Sequence, residues 1–450
     1  MTSFPPLILS EPASAVCIAC IFLVPFALAS LALINVGLGR SRSAGHQMLS
    51  SLLVLSVAGF AYLFCGFAWQ GFAGGPAHLI SIGGKPWDWL GAGPFFLRGL
   101  ESRELSTALI AWLGLLTAAL AAVIPVGSGT DRWRLSAACA SSALLAGFVF
   151  PIFAHWVWGG GWLSQLGANY GLGHGFLDVG GGGTVQAVGG LTALAIAWIL
   201  GPRRGKYAPD GMPTALPGHN AVFILFGCFL ALLGWTGLNS AGAILFAGAD
   251  ARSIPLIAIN TILSGAGAGV AATLTTRIRF GKPDASLAAN GWIGGLVASS
   301  ASGAFVVPAE AVVIGFVAGV LVTLSVEWIE LHLSVDDPAG AISAHAVGGL
   351  WGLFAAGIFA RVPAGTIRSV TNSAPGIGSG DAGQMVAQLI GIATLLGFVL
   401  PLTYGLNWLL DRLHHQRVGP EGERQGMDLY ELGAGAYPEF ITHTEDSTQR

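Results

Sequence analysis

Charge is scarce in this chain: 20 Lys and Arg against 23 Asp and Glu make 10% of 450 residues, while 53% are hydrophobic. A soluble protein of this size could not cover its surface with so few charges, and the mean hydropathy of +0.69 points the same way. The composition is that of an integral membrane protein. Cysteine is also rare. All five (Cys17, Cys20, Cys65, Cys139, Cys228) fall in apolar runs. Cys17 and Cys20 form a CxxC with no second pair and no nearby histidine, which fits packing rather than a metal or redox centre. The 67 glycines lack a three-residue period, which excludes a collagen-like chain. No strand precedes the glycine-rich segments, which excludes a phosphate-cradling loop. No metal-ligand cluster and no nucleophile with a plausible base can be found, and the ten histidines are scattered. The reading is therefore not an enzyme, with no cofactor, no metal and no nucleic-acid partner.

What is present is a succession of uncharged runs, each near the roughly 20 apolar residues that cross a bilayer. Eleven are expected: 13–37, 46–69, 104–126, 135–156, 179–200, 219–246, 254–276, 285–305, 310–329, 341–361 and 384–410. An odd number puts the termini on opposite sides. With the Arg40/Arg42 loop inside, 14 of the 20 basic residues are cytoplasmic, and Lys85, Arg98, Arg103, Arg252, Arg361 and Arg368 remain outside. The positive-inside rule then gives an outer N-terminus and a cytoplasmic C-terminus. Met1 to Pro12 lacks a basic n-region and reads as an external lead-in, not a cleaved signal.

The chain also repeats itself. Residues 178–191 read DVGGGGTVQAVGGL and 337–350 read DPAGAISAHAVGGL, agreeing at seven of fourteen positions. Five crossings separate the two copies, so they traverse the bilayer in opposite senses, as in an inverted five-helix repeat with its site near mid-depth. Gln186 and His345 stand at equivalent places, each eight residues past an aspartate. At 1.5 Å per helical residue both arrive roughly 12 Å inward from opposite faces of a core about 30 Å thick. Polar groups at that depth face a bundle interior or a pore. An interhelical hydrogen bond joining the fifth and tenth spans is the plainer alternative.

Several segments resemble the ammonium transporter (Amt/Mep/Rh) family: HWVWGGGWL (His155–Leu163), LDVGGGGTVQAVGG (Leu177–Gly190), GPRRGKY (Gly201–Tyr207), PGHNAVFILFGCFLALLGWTGLNSA (Pro217–Ala241), ANGWIGGLVA (Ala289–Ala298) and VDDPAGAISAHAVGGLWG (Val335–Gly352). Order and spacing match along nearly the whole chain, least in the loops 70–103 and 362–383. The resemblance implies an all-α, eleven-helix inner-membrane protomer, a homotrimer with one pore per subunit, and conduction of ammonium or ammonia. It divides the chain into a transmembrane domain, 1–412, and a cytoplasmic regulatory tail, 413–450, on which a PII-type regulatory protein would act.

Transferred residue by residue, the resemblance assigns Trp158 to the outer vestibule, where an indole face attracts a cation by about 0.5 to 2 kcal/mol; the alternative is an interfacial aromatic-belt residue. Asp178 matches the family aspartate near that vestibule. His345 matches the second of two paired pore histidines, and Gln186 takes the place of the first. Leu238 stands where a gating phenylalanine is usual and Leu113 replaces its partner, while a vestibule serine gives way near Gly242. In the tail, Gly426, Asp428, Gly433 and Tyr437 are in register, whereas Leu432 and Ala434 depart from it. Residues 441–450 are polar and expected to be disordered. The resemblance implies an ammonium channel with an altered mid-pore pair; the alternatives are a non-conducting ammonium sensor of the same fold and a pore for another small molecule such as methylamine.

Overall fold

The computed structural model of the chain describes residues 7–362 and 382–437; segment 441–450 and Arg368 lie outside the described residues. Among the described residues eleven helices of 18 or more residues follow one another: α1 (Glu11–Leu38), α2 (Ser41–Gln70), α3 (Leu105–Ser128), α4 (Leu135–Val157), α5 (Gly182–Leu200), α6 (Ala221–Ala247), α7 (Ala251–Phe280), α8 (Ala285–Ser302), α9 (Pro308–Leu333), α10 (Ile342–Phe359) and α11 (Ala382–Leu413). Among the described residues, ten of these are long and apolar enough to cross a membrane. The eleventh, α8, carries Asn290 and Ser286, Ser299, Ser300 and Ser302. It is packed on α6, α7, α9 and α10 and needs no apolar face toward lipid.

Helix α1 begins at Glu11, where the Ser10 side chain accepts from the Ala13 N–H, so the lead-in is two residues shorter than expected. The loop after α2 is not irregular throughout. Strands β1 (Ala77–Ile82) and β2 (Lys85–Gly91) form an antiparallel hairpin. Its turn is Gly83–Gly84, with φ of 61° and 75°. Paired left-handed residues match the twist of a two-residue hairpin, and glycine adopts them without strain. The hairpin marks one end of the bundle; the opposite end carries the C-terminal tail.

The two halves pack alike. Helix α3 lies on α5 as α8 lies on α10, α2 lies on α4 as α7 lies on α9, and α1 packs against α6. Small residues make the contacts: Gly234 faces the backbone of Ala27, and Gly315 and Gly319 face the backbones of Ser264 and Ala268. In lipid, where apolar surface gains nothing by leaving the solvent, such close backbone approach supplies the attraction between helices.

The closing AVGGL of each repeat has a specific part in this. A β-carbon on Gly190 would lie 2.3 Å from the Ala346 nitrogen, and one on Gly349 would lie 2.4 Å from the Gly182 oxygen. Both glycines stand twelve residues beyond their aspartate, so the α5–α10 crossing is built twice by the same device.

At the tail end, short loops bury charge in pairs. The Arg203 guanidinium donates to both carboxylate oxygens of Asp336 and, at 3.1 Å, to Asp131. Fully buried Arg132 donates to the carbonyls of Gly201, Thr130 and Asp336. Burial alone would raise the Asp336 carboxyl, but Arg132 and Arg203 hold it down to about 2.

Replacing Gly190 or Gly349 with alanine is expected to force α5 and α10 apart at a cost of about 1 to 3 kcal/mol. Gly405→Ala, with no neighbour within 4 Å, is expected to leave stability unchanged. Thermal unfolding midpoints of the three purified variants measure the contrast.

Candidate functional site

Helices α5 and α10 do not start at their aspartates. The chain turns at Gly181 and Gly340, both with positive φ, and each helix opens with a π turn, Gly182–Ala187 and Ile342–Val347. The expected run of eight helical residues is thus a loop followed by a wide turn. The aspartates cap these turns from outside. Asp178 Oδ2 accepts from the Gly183 and Thr184 N–H groups and from the Thr184 hydroxyl. Asp337 Oδ2 accepts from the Ile342 N–H and its Oδ1 from the Ser128 hydroxyl, both at 2.7 Å. A carboxylate is favourable there because the first helical N–H groups have no partner in the helix.

Each π turn carries one member of the polar pair, and the structure brings the two into contact. The Gln186 side-chain oxygen lies 2.8 Å from His345 Nδ1, and the residues are 0% and 3% exposed. A carbonyl oxygen only accepts, so Nδ1 carries the proton and Nε2 of a neutral imidazole keeps its lone pair. Gln186 Nε2 has no hydrogen-bond partner among the described residues. The Trp235 ring lies 6.4 Å from the imidazole, tilted by 30°. On the tail side of the pair a small cavity is lined by Leu31, Asn35, Asn290, Ile293, Ala344 and His345. Asn35 Nδ2 is buried there without a hydrogen-bond partner among the described residues. An asparagine near the end of an apolar span is a legible signal that the sequence reading passed over.

Toward the hairpin end, Trp158 caps α4 and its indole N–H donates to the Asp178 carbonyl at 2.7 Å. Its ring is 6% exposed and stacked against Phe246, a residue for which the sequence gives no signal. Leu113 and Leu238 are buried within α3 and α6 at 0% and 1% exposure. Gly242 has a steric reason: a β-carbon would come within 2.1 Å of the Val179 oxygen, so a serine does not fit. His155 lies between the Gln70 carbonyl and Asp88 of β2, tying the hairpin to α4. Cys17 and Cys20 are free and buried.

The tail is docked as far as it is described. Asp428 accepts from the N–H groups of Gly45, His46 and Ala436. Glu431 accepts from the Leu135 N–H and pairs with His46 at 2.8 Å. Gly426 has φ of 98° and lies against Arg42, Gly433 ends a turn in the left-handed region, and the Tyr437 hydroxyl meets His219 Nε2 at 3.0 Å. Arg417 holds the Leu200 and Pro202 carbonyls at the end of α5.

Asp178→Ala is expected to orphan two buried N–H groups and one hydroxyl, destabilising the protein by at least about 2 kcal/mol. Asp178→Asn, which keeps an acceptor oxygen, is expected to lose less. Thermal unfolding of the purified variants ranks the two.

The sequence matches the Ammonium Transporter Family over residues 15–437. It is 38% identical to ammonium transporter Amt2 of Archaeoglobus fulgidus over 435 residues, covering 95% of this chain and 88% of that one. Among solved structures it superposes on a sensor Amt protein with a TM-score of 0.82, at 27% identity and covering 93% of this chain and 98% of that one. It shares its fold with Mep2 of Candida albicans at a TM-score of 0.77 and 24% identity, covering 92% of this chain and 87% of that one. A multi-span helical membrane protein with a mirrored polar pair at its central crossing, the chain belongs to the Ammonium Transporter Family, whose members are transporters rather than enzymes.

Proposed function

We propose that the protein conducts ammonium or ammonia through one pore per subunit that passes the Gln186/His345 pair. The observation that carries this is the buried 2.8 Å contact between an amide and an imidazole delivered by two oppositely directed π turns. A hydrogen-bonded pair with a lone pair at Nε2 and a spare amide N–H offers both an acceptor and a donor to a small guest. Two imidazoles can pass a proton between them, but glutamine does not titrate, so one proton-carrying group remains. Conduction coupled to a two-histidine relay is accordingly altered or lost. Trp158 and Asp178 serve the outer vestibule in this reading, with Leu113 and Leu238 below them. The protein sits in the inner membrane as a homotrimer with its N-terminus outside.

A second reading is an ammonium sensor of the same fold, favoured by the likeness to a sensor Amt protein and by aliphatic residues at both gate positions; a pore for methylamine is its variant. The tail from 413 onward is read as regulatory and as the place where a PII-type protein acts. The bonds from Asp428, Glu431 and Arg417 to the ends of α2, α4 and α5 support this.

Ammonium- and methylammonium-dependent currents from reconstituted protein test the reading. His345→Ala is expected to lower flux at least about tenfold, and Gln186→His to change the current or its selectivity over potassium. Normal folding with no change in Gln186→His overturns the altered relay; no current from the unaltered protein favours the sensor. Removing residues 417–450 is expected to depress uptake while the assembly stays intact in size-exclusion chromatography; unchanged uptake leaves the tail a mere cap on the bundle.

A further inference from the structure

Phe246 lies on the face of Trp158. The ring centroids are 4.3 Å apart and the planes 5° from parallel. Carbon atoms in contact at about 3.5 to 4 Å leave no space for a guest between the rings. The rest of the indole is fixed. Its N–H is held by the Asp178 carbonyl, and Phe150 meets it edge-on at 6.3 Å. Gly181 lies against its far edge, where a β-carbon would stand 3.2 Å from Cη2. Trp158 is buried while Phe246 is only half-buried.

Of the two, Phe246 is the ring that can move. It is the penultimate residue of α6, which ends at Ala247 and turns through Gly248 with φ of 69°. The last turn of a helix is its least constrained part. At the two gate positions of the proposed pathway, the aliphatic side chains of Leu113 and Leu238 offer neither a stacking surface nor a cation–π face.

We propose that Phe246 is a specificity-determining lid: it stacks on Trp158 in the closed state and swings away when an alkylammonium or ammonium cation takes the indole face. The proposal rests on reading Trp158 as the outer cation site and adds the residue that controls access to it. Ring stacking and cation–π attraction are of similar strength, so the two partners compete on equal terms. A site open for only a fraction of the time has its dissociation constant raised by the inverse of that fraction. The lid therefore weakens binding of every cation and disfavours most those that shed water least readily, such as sodium, which is hydrated more strongly than ammonium or an alkylammonium.

Titration calorimetry of purified full-length protein with methylammonium chloride, against sodium chloride as the ionic-strength control, tests this. Phe246→Ala is expected to tighten methylammonium binding about three- to tenfold. Phe246→Leu, which keeps apolar bulk in case the alanine variant folds poorly, is expected to shift binding in the same direction by less. Trp158→Leu is expected to abolish binding, and Phe246→Ala added to it to restore none. Unchanged affinity in both Phe246 variants, no binding to Phe246→Ala, or a gain that survives in the Trp158→Leu background would overturn the lid. The currents described above keep conduction separate. Tighter binding in Phe246→Ala with no current from the unaltered protein removes conduction and keeps the lid; current with unmoved binding does the reverse.

Discussion

Helices α5 and α10 cross with Gly190 against the backbone of Ala346 and Gly349 against that of Gly182, and the contact between Gln186 and His345 depends on that closeness. Any side chain at either glycine would push the helices apart. Gln186 and His345, one turn nearer the start of their helices, would then lose the contact that lets each be buried. In a medium without water an amide or imidazole left alone costs several kcal/mol, so close packing and polar pairing stand or fall together. The aspartates complete the arrangement. A π turn opens the helix by one residue, and the capping carboxylates supply the acceptors that its freed N–H groups need.

Much of this was legible because membrane physics leaves few alternatives. The uncharged runs correspond to the eleven helices, and the seven shared positions between 178–191 and 337–350 announce both the inversion and the meeting of Gln186 with His345. The glycines of AVGGL were compatible with either a narrow passage or a tight helix contact, and it is the backbone of Ala346 against Gly190 and of Gly182 against Gly349 that decides for contact. The hairpin was readable too: β-rich HLISI and KPWDWL flank two glycines, the pattern of a two-residue turn between strands.

Other features had no local signature. The three residues before α5 are uncharged like the helix itself, so the uncharged run placed its start at 179 instead of 182, and a π turn uses the same letters as an α turn. The stack of Phe246 on Trp158 joins residues 88 positions apart on helices that touch only in three dimensions. The steric reason for Gly242 likewise appears only when the Val179 carbonyl is seen against it. An apolar residue in an apolar span carries no mark of whether it faces lipid, a neighbour or a passage, and this is where sequence reading of membrane proteins stops.

Glutamine opposite histidine breaks a symmetry that the backbone keeps. With two imidazoles either ring can hold the shared proton, so the pair has two near-equivalent states. With Gln186 the carbonyl oxygen accepts from His345 Nδ1, and because an amide does not titrate, His345 alone of the two can take up or release a proton. The backbone frame, the capping aspartates and the glycine contacts are unchanged by that substitution, because none of them involves the side chain at 186. A protein can therefore alter the proton chemistry of its central crossing without touching the packing that holds it. The same separation operates at the hairpin end, where the Asp178 carbonyl fixes the Trp158 indole while the ring stacked on it comes from the terminus of another helix. Frame and chemistry are supplied by different atoms, and so they can change independently.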